Sequence, residues 1–307
     1  MTATVKSGPI VVIANPTAGG GKAGKLIGKA DAILRDLRLD HQILVTDSAE
    51  EMEVTCRREA KAGAAIVAVI GGDGTVSCAA NGLLGTDAAL AVFPAGTGDD
   101  FARAIGAARF ETAVRLLANP TIARVDAVEL ETGGIQRHFV NVAGAGFDSE
   151  VNETANSMSM NLGGTGTYLV ALVKTLRKFT PADYVVTIDG EASSLDAMLV
   201  VVGSGISFGG GMKVLPRASL TDGLLDVCIV EALSKGAFLR AFPKVYSGSH
   251  TAHPKIQMRT ARSVQIEANR AIQVYADGER VGPLPASFHV VPAALPVVVG
   301  PDAKGIT

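Results

Sequence analysis

Ile66-Val67-Ala68-Val69-Ile70-Gly71-Gly72-Asp73-Gly74-Thr75 is the stretch on which the fold turns. An unbroken apolar run over Ala65–Ile70 describes a strand buried on both faces, and such strands belong to parallel sheets covered by helices. The run stops at Gly71-Gly72-Asp73-Gly74-Thr75, and helical apolar spacing begins at Val76 and runs to Leu84. Strand, glycine turn and helix in that order place free backbone N–H groups at a helix start, where an anion can bind. Asp73 stands among the glycines, where it could hold a Mg²⁺ that bridges phosphates.

The same grammar repeats on either side. Ile10–Ala14, Gln42–Val45 and Leu90–Phe93 read as further strands, and Lys22–Leu39, Ala49–Lys61 and Glu111–Leu117 as helices. This alternation predicts an α/β nucleotide-binding domain with a parallel sheet. Two more turns end its strands: Asn15-Pro16-Thr17-Ala18-Gly19-Gly20-Gly21, and Pro94-Ala95-Gly96-Thr97-Gly98-Asp99-Asp100. Turns at the carboxyl ends of neighbouring parallel strands face one crevice. Three of them together point to a nucleotide phosphate.

Composition narrows the classes. Lys plus Arg number 28 against 30 Asp plus Glu, a net charge of −2, which excludes binding to nucleic acid by bulk charge. No tryptophan and 5% aromatic residues leave no stacking platform for single strands. A content of 48% hydrophobic and 19% charged residues calls for a large folded core. Cys56, Cys78 and Cys228 are scattered and odd in number, which suits free thiols in a reducing, cytoplasmic setting. Met1–Lys6 lacks a signal-like apolar stretch, and no apolar run approaches a membrane span.

Beyond residue 125 the pattern changes to strands, with helical spacing at Thr167–Phe179 and Lys235–Val245. Expected strands are Ala127–Glu131, Phe139–Gly144, Tyr184–Asp189, Ala197–Val202, Leu225–Val230, Ser263–Glu267, Ala271–Tyr275 and Ser287–Val291. The expected division is residues 1–125 and a β-sandwich or barrel over residues 126–292. Ser219-Leu220-Thr221-Asp222-Gly223-Leu224 reads as a solvated turn or, through the Asp222 carboxylate and backbone carbonyls, as a hard-cation site. Asp277-Gly278-Glu279 reads as a hairpin tip, or as a general base with its partner.

Other motifs recede. Gly21-Lys22 is followed by Ala23, so a Walker A loop fails. Gly19, Gly21 and Gly24 fit a dinucleotide fingerprint, but Asn-Pro-Thr-Ala intervenes where a tight turn is needed. His250 and His253 lack a third metal ligand nearby. The clusters Lys174, Arg177, Lys178 and Lys255, Arg259, Arg262 suit solvated faces or a membrane-docking rim.

These residues resemble the diacylglycerol kinase family of soluble lipid kinases, in its bacterial branch, which is related to the sphingosine kinases. The resemblance runs in order through Asn15-Pro16…Gly19, Gly71–Thr75, Gly96-Thr97-Gly98…Asp100, Gly144…Gly146-Phe147-Asp148, Gly209-Gly210-Gly211-Met212, Asp222–Val227 and Asp277-Gly278-Glu279. It implies a C-terminal β-sandwich domain that carries the lipid and metal sites. Residues 293–307 would return to the first domain, with Leu295–Gly300 as a strand there. ATP would be held by Asn15, Pro16, Thr17, Gly19, Thr46, Gly72, Asp73, Gly74, Thr75, Gly96 and Thr97. A structural Mg²⁺ would be held by Ser219, Asp222 and Leu224, Asp73 would lie near the catalytic metal, and Asp277 or Glu279 would take the proton of a lipid hydroxyl. The implied partner is a lipid at the membrane surface, met by a peripheral protein without a transmembrane segment, and a sandwich edge could pair into a homodimer. Three positions depart from the family: Asp99 stands for an Asn, Ser77-Cys78 for Asn-Glu, and an Asn before Gly209 is absent. A nucleotide-binding relative without turnover and a nicotinamide enzyme are the alternative readings.

Overall fold

The computed structural model describes residues 8–158 and 164–306. The first lobe alternates β1 (Ile10–Ala14), α1 (Ala18–Asp36), β2 (His41–Val45), α2 (Ala49–Lys61), β3 (Ile66–Gly71), α3 (Asp73–Leu83) and β4 (Ala89–Pro94). Two short helices follow, α4 (Asp100–Ala104) and α5 (Phe110–Arg115). Strands β2, β1, β3 and β4 lie side by side and all parallel. Every residue of β1, β3 and β4 is buried, as an unbroken apolar strand between helical layers must be.

The second lobe contains β5 (Thr121–Thr132), β6 (Ile135–Phe139), β7 (Val142–Gly146), α6 (Phe147–Ser157), α7 (Gly164–Lys178), β8 (Ala182–Ile188) and β9 (Glu191–Gly203). It continues with β10 (Leu225–Glu231), α8 (Lys235–Ala241), β11 (Ile256–Ala261), β12 (Ser263–Ala268), β13 (Gln273–Ala276), β14 (Glu279–Pro283) and β15 (Ala286–Val299). Antiparallel pairing dominates here. Alternation sorts its side chains: Val200, Val202, Val227 and Ile229 face the sandwich interior, while Val201, Cys228 and Val230 face the layer under α6, α7 and α8.

Two long strands join the lobes. The first part of β15 pairs with β5 and β12 in the sandwich, and its last part lies against β5 and beside β4, with Val297 opposite Leu90. The end of β15 thus lies alongside the first sheet. Between Val291 and Leu295 the register breaks, and Asp126 accepts the N–H of Ala293 at 2.7 Å inside the bulge.

Several elements differ from expectation for local reasons. The expected strand Phe139–Gly144 is interrupted because the N–H groups of Val140, Asn141 and Val142 turn toward the Asp277 carboxylate. The expected helix Lys235–Val245 stops at Ala241 and tightens into a 3₁₀ turn, with Pro243 supplying no N–H. Helix α6 has no apolar run long enough to announce it.

Candidate active site

The three glycine turns meet. Gly19, Gly20 and Gly21 all hold positive φ (61°, 67° and 84°), so the chain leaves β1 through a left-handed turn before α1 becomes regular. Asn15 Oδ1 organises its entry, accepting the Thr17 N–H at 2.9 Å and the Thr17 hydroxyl at 2.7 Å. A side chain on Gly19 would strike the Ala95 carbonyl, and a Cβ on Gly72 would stand 3.1 Å from the Cα of Gly96. Backbone therefore packs on backbone across all three turns. This open left-handed loop is not the tight dinucleotide turn, and the nicotinamide reading loses its structural footing.

Carboxylates crowd the mouth of these turns. Asp73 Oδ1 accepts the Phe101 N–H at 3.2 Å. Burial, then the nearby Asp100 carboxylate, pushes the Asp73 carboxyl up to about 6. Asp99 holds φ 50° and accepts the Gly96 N–H at 3.0 Å; burial raises its carboxyl too. Asp100 is buried and crosses to the other lobe, accepting the N–H of Gly210 at 2.7 Å and of Gly211 at 2.9 Å, and the Ser207 hydroxyl at 2.8 Å. Arg103 completes its shell at 2.7 Å.

From the second lobe, Asp277 sits at the β13–β14 hairpin tip with φ 49°. Its two oxygens accept three backbone N–H groups, from Val140, Asn141 and Val142, at 3.1–3.2 Å. Burial outweighs those bonds and raises the carboxyl to about 7, with a further push from Asp73. Asp73, Thr97, Gly98, Asp100, Asn141 and Asp277 line one inter-lobe cleft. Its apolar wall comes from Phe208, Phe242, Pro243, Tyr246 and Tyr275. Glu279 lies to the side, its carboxylate so near Gly74 that a Cβ there would be 2.8 Å from Oε1.

The remaining expected residues are placed elsewhere. Thr46 follows β2, its N–H on the Ala14 carbonyl at 3.0 Å and its buried hydroxyl without a hydrogen-bond partner. Ser219, Asp222 and Leu224 do not line the cleft; their turn packs against the strands that join the lobes, the Gly223 N–H on Asp126 at 2.7 Å. Asp222 accepts the Leu224 N–H at 3.0 Å. Burial and then the Asp222 charge raise Asp226 to about 6, and burial also raises Asp126. No group of three His, Cys, Asp or Glu side chains among the described residues is set to share a metal. The donor types at this turn, the Asp222 carboxylate, the Ser219 hydroxyl and the Leu224 carbonyl, are the hard oxygens that a hydrated Mg²⁺ prefers.

The sequence assigned no role to Asp100 and Asp148, which stand in the motifs quoted above, and gave no sign of Asn141 or Ser207. The signal for Asp100 lay in Gly209-Gly210-Gly211, whose φ values of 61°, 84° and 103° turn amide groups toward its carboxylate. Asp148 opens α6, is fully buried, and is raised by desolvation to about 7. Gly144 is obligatory there, because a side chain would collide with the Asp148 carboxylate.

With this geometry in hand, known proteins supply the family. Residues 9–130 match the diacylglycerol kinase catalytic domain, and residues 141–299 match the YegS C-terminal NAD kinase beta sandwich-like domain. A diacylglycerol kinase of Mycobacterium tuberculosis is 34% identical over 295 residues, 95% of each chain. That of Bacillus subtilis is 30% identical over 226 residues, 73% of this chain and 74% of the relative. A candidate diacylglycerol kinase of Bacillus anthracis, solved by crystallography, superposes with a TM-score of 0.81 at 28% identity and 98% coverage of both chains. A parallel sheet ending in three joined glycine turns, facing a β-sandwich across a carboxylate-lined cleft, now has its relatives: the chain belongs to the diacylglycerol kinase family.

Proposed function

We propose that this chain transfers the γ-phosphoryl group of ATP to the hydroxyl of diacylglycerol or a related lipid. The observation that carries the reading is the meeting of Asp277 and Asp73 in one cleft at the mouth of the glycine turns, close enough for the charge of Asp73 to raise the Asp277 carboxyl. Phosphoryl transfer asks for positioning and charge neutralisation more than covalent help. The amides of Gly72 and Gly74, with Asn15, Thr46, Thr75 and Thr97, would cradle the nucleotide, and Gly96 would keep the third turn close to them. Gly19 lets the first turn approach the third, and Pro16 and Thr17 shape its entry.

Asp277 would accept the proton of the attacking hydroxyl. A carboxyl held near neutrality is matched to that task, and its three backbone donors fix its orientation. Glu279, beside the start of α3, would orient rather than abstract. Ser219, Asp222 and the Leu224 carbonyl would hold Mg²⁺. When bound there, the metal would offset the charges gathered at Asp126, Asp222 and Asp226 and brace the turn against the strands that join the lobes.

The lipid would be met at a membrane surface. Among the described residues no helix is long and apolar enough to cross a bilayer. Tyr246 of the cleft wall is 46% exposed, and Leu239, 49% exposed, lies in the preceding helix α8 with the exposed Lys235 and Arg240, so this segment would offer apolar and basic groups to a lipid surface. A homodimer would use an outer sandwich strand, and light scattering tests it. The decisive assay is γ-labelled ATP with Mg²⁺ and a panel of glycerolipids and sphingoid lipids. Label in a lipid product supports the reading; ATP binding without transfer to any of them replaces it with a nucleotide-binding relative.

A further inference from the structure

Asn81, near the end of α3, joins the two lobes by a route that avoids the cleft. Its Oδ1 accepts the His138 N–H at 3.0 Å, and its Nδ2 donates to the His138 carbonyl at 2.7 Å and to the Ser77 carbonyl at 2.9 Å. Two carbonyls at Nδ2 fix the orientation of the amide, since an oxygen in that place would face two others. His138 lies in β6, which pairs with β5 alone among the described residues. One carboxamide thus satisfies the outward N–H and C=O of an edge strand, as a neighbouring strand would. A buried amide is costly unless bonded, and Asn81 is buried with both donor hydrogens and its oxygen in use.

What this bridge connects gives it a role in chemistry. Asp73 opens α3, and Asn81 follows it by eight residues, about 12 Å along one helix. Val76–Leu83 are buried throughout. Helix α2 holds the same end: Arg57 donates to the Asn81 carbonyl, and a Cβ on Gly82 would stand 2.6 Å from the Glu53 carbonyl. Helix α3 is thus wedged between α2 and β6. On the other side, His138 comes two residues before Val140, and the N–H groups of Val140, Asn141 and Val142 hold the Asp277 carboxylate. Asn81 itself does not line the cleft. It ties the helix that carries Asp73 to the segment that cradles Asp277.

We propose that Asn81 is a positioning residue for phosphoryl transfer, which sets the separation of Asp73 and Asp277 through α3 and β6. The inference rests on the kinase reading of the cleft and adds the contact that aligns its two halves. An apolar residue of the same size would fill the space but leave the His138 N–H and carbonyl unpaired. Strand β6 would then be free to move against α3, and the Asp277 cradle would move with it. Transfer is sensitive to such movement, because a displacement of about 1 Å can cost about 10²-fold in rate.

The test uses Asn81→Leu, which removes all three bonds at similar volume, and Asn81→Ala, which leaves room for a water to pair with His138. With dioctanoylglycerol in mixed micelles, Asn81→Leu is expected to lower kcat by about 10²-fold while the Kd of ATP stays within about 2-fold. Asn81→Ala is expected to fall between it and wild type. In an Asp277→Asn background either change is expected to cost less than about 3-fold, since no base is left to align. Backbone amide exchange followed by NMR is a second readout, independent of turnover. The His138 and Val140–Val142 amides are expected to exchange at least about 10-fold faster in Asn81→Leu. Should Asn81→Leu fail to fold, the same readouts on Asn81→Ala decide. Unfolding of both variants, equal losses in both backgrounds, or faster exchange that stops at His138 overturns the inference and leaves a purely structural contact. Faster exchange that reaches Val140–Val142, in a protein whose wild type phosphorylates no lipid, removes the kinase reading and leaves the Asn81 link standing.

Discussion

Asp100 accepts the backbone N–H of Gly210 at 2.7 Å, so a carboxylate at the start of α4 in one lobe closes on a glycine turn of the other. Gly211 and Ser207 join it from the same side. Asp100 itself is buried, so its charge is balanced by these donors and by Arg103 rather than by water. Asp100→Ala is expected to remove these charge-assisted bonds between the lobes, at about 1–3 kcal/mol of stability, and to lower kcat/KM by about 10²-fold by misplacing the cleft walls. Thermal melting and steady-state kinetics check both, with Asp100→Asn falling between.

Asp277→Asn retains a side chain that tolerates the left-handed φ of 49° and can still accept the Asn141 and Val142 N–H groups on its one amide oxygen, losing the bond from Val140. The variant is expected to fold and to bind ATP with unchanged Kd. Its kcat is expected to fall by about 10²–10⁴, the range for a lost general base. Calorimetric titration beside single-turnover kinetics separates the two quantities.

Asp99 occupies a left-handed position with its carboxylate in the third glycine turn, where it accepts the Gly96 N–H. An Asn can accept that bond without adding charge beside phosphates. Asp99→Asn is expected to bind ATP about 3- to 10-fold more tightly at neutral pH, at little change in melting temperature. Nucleotide titration of wild type and variant side by side at neutral pH, with their melting curves, checks it.

Gly96→Ala would put a Cβ 2.8 Å from the Gly72 Cα and 2.6 Å from Asp99 Oδ1. Neither neighbour is the end of a long flexible side chain. The turns must separate, and ATP affinity is expected to drop by at least about 10-fold while the sandwich stays intact. Nucleotide titration and the melting curve distinguish a damaged turn from an unfolded chain.

Asp148 gives a pH signature away from the glycine turns. Its carboxyl rises from an ordinary 3.8 to about 7 because burial disfavours the ion. The folded state therefore holds a proton that the unfolded state has already released. Its contribution is fully present below about pH 3.8 and is lost as pH climbs to about 7, each pH unit across that window removing roughly 1.4 kcal/mol. Asp148→Asn is expected to flatten the decline of melting temperature between pH 5 and pH 8. An unchanged slope would remove Asp148 as its source.

Much of the fold is legible in the residues because burial writes itself into local pattern. Val11, Val69 and Val92 sit in continuous apolar runs, and those runs are strands buried on both faces. Gly19, Gly72 and Gly96 mark turns where backbone meets backbone, which no other residue permits. The break at Val140–Val142 was not legible, since its cause is a carboxylate at residue 277, far along the chain.

The amino-acid sequence by itself determined the strand–turn–helix alternation, the glycine turns and the acidic hairpin tip, all of which depend on neighbours within a few residues. Only the tertiary structure decided that Asp73 and Asp277 share a cleft, that Asp100 latches onto Gly210, and that Asp148 borders an apolar cavity. Those relations depend on desolvation and on contacts between distant segments. A carboxylate's partner and its proton are set by what surrounds it in space, and that is absent from any stretch of sequence read alone.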